Sequence, residues 1–426
     1  MTEAAIETAI RDAVDKGFDE QLDFTAELVR FPSVRGAEHT AQDFMARAMR
    51  DRGLAIDRWV IDLDDIRALK GFSPVNVSYE NAINVVGIHR PTARKGRSLT
   101  LNGHIDVVPV GPLDMWTTPP FEPRIADGWL YGRGAGDMKA GLVACVFALD
   151  ALERAGWRPA AEVYVQSVIE EECTGNGALA CVGRGYVGEA ALIPEPRGGP
   201  VLSGQVGVMW FEVKLKGRPV HVARAGEGAN AIEAAAPIIR ALHAMTDRWN
   251  GERHKHPPFD KVDHPININI GKIAGGDWAS SVPAWCDMEI RIAVYPGQDL
   301  AAARFEIEDT IRAAAQKVPF LANNPPDVLY NGFQAEGFVL PEGSDAERTL
   351  AAAHLKAFGA PLQRAPTTAT TDARFFGLYA GVPALVYGPK ASSVHGFDER
   401  VDIESIRTTT QAMALFIAEW CGLEAA

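Results

Sequence analysis

The stretch VGVMWFEVKLKG at residues 206–217 alternates apolar and polar side chains with a period of two. That is the pattern of a strand with one face in a core and the other outside it. It interrupts a chain whose other strand-like runs read differently. INVVGI (83–88), SLTLNG (98–103), AEVYVQSVI (161–169), AALIP (190–194) and PALVYG (383–388) are short and mostly apolar. They sit between helical patterns near 6–30, 36–53, 138–155, 345–358 and 403–421. Short apolar runs between helices suit a sheet covered on both faces. Working outward from 206–217, an amphipathic helix at 229–245 comes next. Strands at 266–271 and 286–295 follow, then a helix at 300–317 and a strand near 327–335. The order βαββαβ is the ferredoxin-like unit. The fold class is therefore α/β, with a discontinuous α/β/α domain of residues 1–204 and 337–426. Residues 205–336 are read as an inserted ferredoxin-like lid, carrying a surface loop, RHKHPPFDKVDHP, at 253–265.

Composition limits the partners. A length of 426 residues exceeds what one core usually holds, which agrees with two domains. With 47% hydrophobic and 23% charged residues the chain is globular in type. Its 42 basic and 55 acidic residues give a net charge of −13, a poor basis for gripping nucleic acid or an anionic membrane. Five cysteines (Cys145, Cys173, Cys181, Cys286, Cys421) are odd in number and form no CxxC pair. Neither a disulfide framework nor a zinc ribbon is expected, and a reducing cytoplasm is. The N-terminal stretch is charged and helical in pattern, without an apolar leader. The best apolar run, Leu142–Leu149, stops at Asp150, well short of a membrane span.

Chemistry-bearing residues gather where strands end. In LTLNGHIDVVP (99–109), His104 and Asp106 stand at i and i+2 and leave the same face. The carboxylate there can orient a metal-ligating imidazole, although an ordinary hydrogen-bonded pair is the commoner use of that spacing. GRGAGDMKAG (132–141) sets three glycines before Asp137 at a helix start. Glycine permits a sharp turn and a close approach, and Asp is also an ordinary N-cap. A dinucleotide fingerprint is excluded, because the third glycine is misplaced and no clear strand precedes it. VIEEECTGNG (168–177) places Glu170, Glu171 and Glu172 side by side. Three carboxylates repel one another unless cations compensate; a solvated acidic loop is the plainer reading. Glu195 in LIPEP (192–196) and His395 in YGPKASSVHGFDE (387–399) follow further strands. Ligands converge naturally from the carboxyl ends of parallel strands, and together these groups are what a two-metal hydrolase needs. A mixed nitrogen and oxygen set suits zinc, with cobalt or manganese as substitutes. Cys173 lacks a base motif and sits among carboxylates, so it is read as packing. His254, His256 and His264 read as solvated loop residues, and Trp116 and Trp129 as loop packing.

Five motifs in order, GHIDVVP, GRGAGDMKAG, EEECTGNG, PEP and GPKASSVHGFDE, make the chain resemble the M20 family of metallo-aminoacylases and peptidases. The closest likeness is to acetylornithine deacetylase and succinyl-diaminopimelate desuccinylase-like deacylases. The resemblance implies two divalent metal ions, with His104 and Glu195 on one, His395 and Glu172 on the other, and Asp137 bridging. It implies Glu171 as general acid/base and Asp106 as the group orienting His104. His221, in GRPVHVARAGEGANAI (217–232), would reach a neighbouring subunit's site in a homodimer formed through the lid. Arg291, in MEIRIAVYPG (288–297), would hold a substrate carboxylate. The family's Asn-x-x-Pro reads SSVP here, with Ser280 in the asparagine's place, and its Asp-Glu-Glu reads Glu170-Glu171-Glu172. Asp372 and Arg374 in TTDARFFG match a family motif, with a buried salt bridge as the plainer reading. The implied activity is hydrolysis of the amide bond of an N-acyl amino acid or related small amide. A dipeptidase or carboxypeptidase on the same scaffold is the alternative.

Overall fold

A computed structural model describes residues 2–426. The apolar runs form a six-stranded sheet in the order 55–60, 83–89, 163–168, 99–104, 190–193, 384–386. The last four strands are parallel, so their carboxyl ends lie along one edge. Helices His39–Asp51 and Ala140–Arg154 share one face, where Met49 closes on Gly87 and Leu142 on Gly103. Helix Asn176–Gly183 takes the other, where the Asn84 side chain donates to the Gly177 carbonyl at 2.7 Å. Helices Glu3–Val29, Asp345–Phe358 and Ile403–Cys421 complete the layers. The last two begin and end within a residue of their sequence patterns.

The expected helix from 138 to 155 starts later. Residues 135–139 make a wide turn and the regular helix runs from Ala140 to Arg154. Gly134, in the left-handed region at φ 78°, makes the turn, and a side chain there would overlap Val107. Gly141 lets the helix lie directly on the Pro194 carbonyl, bringing Asp137 to the strand end that carries Glu195.

The period-two stretch is strand Gly207–Lys216, at the middle of a second, antiparallel sheet ordered 268–275, 285–294, 207–216, 327–329. Helices Ala231–Gly251 and Leu300–Ala315 pack on it around Ile238, Leu242, Ile292 and Ile307, all fully buried. Each such side chain contributes about 1.5–3 kcal/mol on burial, and this cluster is separate from the one under the first sheet. The first helix outruns its expected end at 245, because Trp249 and Asn250 remain buried within a polar-looking tail. The expected strand at 327–335 is two short pieces, 327–329 and 334–335, broken where Gly332 turns at φ 77°. The chain passes out through 201–205 into 207–216 and returns through 334–335 and 338–339. These passages pair with each other, Val208 opposite Ala335 and Gln205 opposite Phe338.

Candidate active site

Strand topology brings the predicted groups together. His104 ends strand 99–104, Glu171 and Glu172 follow strand 163–168, and Glu195 follows strand 190–193. Asp137 comes from the glycine turn and His395 from the loop after strand 384–386. Asp137 lies between the two imidazoles, Oδ1 at 3.1 Å from His104 Nε2 and Oδ2 at 3.5 Å from His395 Nε2. Glu172 is 3.0 Å from His395 Nε2, and Glu195 is 3.9 Å from His104 Nε2. Glu171 stands at 4.0 Å from His104 Nε2. Two sets of possible ligand atoms fall within 4.8 Å of one another: His104, Glu171 and Glu195, and His104, Asp137 and Glu172.

The electrostatics are those of crowded carboxylates. Burial, then the Glu195 charge, pushes the Glu171 carboxyl well up. Burial, then Asp137, does the same to Glu195. His395 is raised to about 11, chiefly by the Glu172 charge. Burial alone would lower His104, but Asp137 and the surrounding acids hold it well above its ordinary value. Burial likewise works against the Asp137 charge, and its bonds to the two histidines overcome that and lower it. Among the described residues no N–H or O–H group donates to the Glu195 carboxylate. Buried carboxylates that find so few donors, set beside imidazoles, fit divalent cations well.

Residues 100–419 match peptidase family M20/M25/M40. The chain belongs to this family. It is similar to the N-formyl-4-amino-5-aminomethyl-2-methylpyrimidine deformylase of Halalkalibacterium halodurans, 29% identical with 97% of each chain covered. A succinyl-diaminopimelate desuccinylase of Caulobacter vibrioides is also 29% identical, over 92% of this chain and 94% of the relative. In fold it resembles the dipeptidase Dug1p of Saccharomyces cerevisiae, with TM-score 0.78, 15% identity and 97% and 98% coverage. Human carnosine dipeptidase 1 gives TM-score 0.76 at 15% identity, with 97% and 99% coverage. This M20 chain is thus an amidohydrolase of mixed α/β fold.

The remaining predicted residues stand as follows. In this M20 site His104 Nδ1 is 2.9 Å from the backbone carbonyl of Asp106 and 3.6 Å from its carboxylate. The carboxylate instead accepts the backbone N–H groups of Glu171 at 3.3 Å and Glu172 at 3.1 Å. Arg291 lies on strand 285–294, beside Trp210 and Asn269 on its neighbours. It donates to the Thr368 carbonyl at 3.2 Å. No carboxylate among the described residues comes within ion-pair distance of it. His221 is exposed, and its ring accepts the Ala223 N–H at 3.1 Å. Among the described residues it makes no hydrogen bond to the cluster in its own chain. Ser280 uses its carbonyl to accept the Val222 N–H at 3.0 Å. Asp372 and Arg374 form no ion pair. Arg374 donates to the Thr174 carbonyl at 2.8 Å and the Thr371 carbonyl at 3.3 Å, while neither Asp372 oxygen finds a hydrogen-bond partner and burial raises that group to about 7. Cys173 is buried and its thiol is pushed well up by that burial. His256 stacks on Tyr295 at 3.8 Å, and Trp116 packs edge-on against Phe397 at 6.0 Å.

The bracing roles of two residues escaped the sequence reading. Glu399, almost fully buried, accepts the N–H groups of Gly136 and Asp137, both at 3.0 Å, and pairs with Arg133 at 2.5 Å. It therefore fixes the turn that presents Asp137. Its place in the motif HGFDE, four residues after His395, was the available signal. Glu170 is the other anchor. It is held by Arg35, by the Tyr79 hydroxyl at 2.7 Å and by the Thr174 hydroxyl at 2.9 Å.

Proposed function

We propose that the chain is a di-zinc amidohydrolase that removes the acyl group from an N-acyl amino acid or a related small amide. His104 and Glu195 would hold one ion, His395 and Glu172 the other, and Asp137 both. Divalent cations held there supply Lewis-acid activation of water and of the acyl carbonyl. Glu171 takes the proton of the attacking water and returns one to the leaving amine. Its place beside the cluster, 4.0 Å from His104 Nε2, supports that role. Asp106 braces the backbone of Glu171 and Glu172, and Glu399 braces that of Asp137.

The observation that carries the substrate class is Arg291. It is a partly buried guanidinium on the lid, bound to the Thr368 carbonyl of the metal-bearing part and lacking any carboxylate of its own. A buried cation without a counter-ion is costly, and a substrate carboxylate would relieve it. Residues 205–336 would form a lid that closes over the site and dimerises. In support, strand 268–275 is an edge strand, with Ile273 53% and Trp278 74% exposed near it. The exposed His221 would then serve the partner's site, adding a donor to the developing oxyanion. Cytoplasmic residence belongs to this reading, supported by five cysteines that are all free. No helix among the described residues is long and apolar enough to cross a membrane.

A second reading follows from the full-length likeness to a deformylase of an aminomethylpyrimidine. In that reading the leaving amine carries a ring and no carboxylate. One screen separates the readings. N-acetyl, N-succinyl, N-formyl and N-carbamoyl amino acids, an N-formyl aminomethylpyrimidine, and dipeptides are offered with added zinc, cobalt or manganese. Turnover of the free-acid N-acyl amino acids is expected. Turnover of the pyrimidine or the dipeptides alone would overturn the first reading.

A further inference from the structure

Between the returning passage of the inserted segment and the acidic turn, each polar group is bonded to the next. Residues 71–79, GFSPVNVSY, form neither helix nor strand, yet Ser73 and Tyr79 are buried. The Gln334 N–H, at the start of the returning passage, donates to Ser73 Oγ at 3.1 Å. Nearby, the Gly332 N–H donates to the Pro74 carbonyl at 2.8 Å. The Ser73 backbone is gripped twice by Asn176, whose Oδ1 accepts the Ser73 N–H at 3.1 Å and whose Nδ2 donates to the Ser73 carbonyl at 2.9 Å. The same Nδ2 donates to the Tyr79 hydroxyl at 3.2 Å. That hydroxyl in turn donates to Glu170 Oε2 at 2.7 Å.

Glu170 is a sensitive place for such a chain to end. It directly precedes Glu171 and Glu172 and sits in the left-handed region at φ 67°, unusual for a residue with a side chain. A conformation of that kind persists only when its surroundings over-determine it. Here the carboxylate is clamped by Arg35, Tyr79 and Thr174, and the carbonyl accepts the Thr174 N–H at 2.9 Å and the Gly175 N–H at 2.6 Å. At the far end Gly71 lies against Tyr379 so closely that a side chain would overlap the ring. Bonded chains of this sort act as units in a low-dielectric interior.

We infer that residues 71–79 are a strap that transmits the position of the inserted segment to the acidic turn, with Ser73 and Tyr79 as positioning residues for Glu171 and Glu172. The inference rests on the roles proposed above for those two acids. It is tested with Tyr79→Phe and Ser73→Ala, each of which removes one hydroxyl and little volume, and with the double variant. Zinc affinity by chelator competition and steady-state kinetics on an N-acetyl amino acid are the readouts. Losing a hydrogen bond to a charged group should lower kcat about tenfold in Tyr79→Phe, with KM held within about twofold. Zinc binding should weaken about tenfold as well, the usual cost of disturbing a group behind a ligand. Ser73→Ala should move both quantities in the same direction, and the double variant should be no worse than the poorer single, because both cut one chain. Unchanged kcat and zinc affinity with only a lower melting temperature would overturn the strap. So would losses that multiply in the double variant. If the unaltered protein turns over no N-acyl substrate, the reaction proposed above fails, and the zinc titrations still decide the strap.

Discussion

Arg291→Ala is the change that most directly examines the substrate class. The guanidinium has five N–H donors in a rigid fork, and one of its nitrogens donates to the Thr368 carbonyl at 3.2 Å. The remainder is free to meet a carboxylate two-pronged, and burial, which already disfavours the charge here, strengthens such a contact. A hydrogen-bonded pair with a charged group is worth about 1.5–3 kcal/mol. At about 1.4 kcal/mol per decade that corresponds to roughly a 10- to 150-fold weaker hold on an acid. A carboxylate held equally in ground and transition states would put the loss on KM and leave kcat nearly intact. Arg291→Lys keeps the charge without the fork and should lie between the alanine variant and the unaltered protein. The assay compares kcat/KM for N-acetyl amino acids with that for their C-terminal amides. The free acids should suffer the full factor and the amides less than about threefold. Equal losses on both series would refute the carboxylate contact and make Arg291 a bracket for the Thr367–Thr371 segment.

The other expectations concern the centre, the dimer and pH. Glu171→Gln should keep its metal content by elemental analysis while losing roughly 10²- to 10⁴-fold in kcat; Glu172→Ala should lose metal too. A Glu171→Ala chain and a His221→Ala chain should each be nearly inactive alone. Co-expressed with different tags and isolated as a mixed dimer, they should regain one working site of two, and a mixed dimer as dead as its parents would place His221's role within its own chain. Glu38, 1% exposed, is pushed by burial from 4.5 to about 8. A raised folded-state value means that stability is present in full below pH 4.5 and drains away as pH rises through about 8. Glu38→Gln should therefore melt progressively higher than the unaltered protein between those limits, and a constant offset across them would contradict this.

How much was legible in the sequence depended on how local the signal was. Helices 345–358 and 403–421 carry caps and periodicity within their own residues, Ser344 and Asp402 supplying the N-caps, and they were read nearly to their ends. Strand 55–60, AIDRWV, has mixed polarity, because it is an edge strand with only Trp59 buried, and it was not recognised. His104, Glu172 and Glu195 were legible because each follows an apolar run, and strand ends are where chemistry collects; Asp137 follows a glycine turn instead, and its place among the ligands came from the resemblance to the M20 family. What braces them was not. Arg35 and Glu170 are 135 residues apart, and Glu399 and Gly136 are 263 apart. Nothing in the local pattern of either partner marks such a pairing. The His104–Asp106 spacing was legible, but not that the Asp106 carboxylate would turn to the backbone of the acidic turn.

The pairing of Gln205 with Phe338 and of Val208 with Ala335 has a consequence for how this chain can be rebuilt. Both crossings use one doorway, so residues 205 and 338 face each other across a single strand spacing, about 4.8 Å. A two-residue hairpin turn spans that gap. The segment between behaves topologically as a cassette: it can be cut out and the ends spliced through a turn such as Asn-Gly, without re-threading any strand of the six-stranded sheet. The same doorway would accept the corresponding cassette of a relative. Exchanging cassettes would then move Arg291 and His221 as a pair between catalytic frames while leaving the six residues of the cluster untouched.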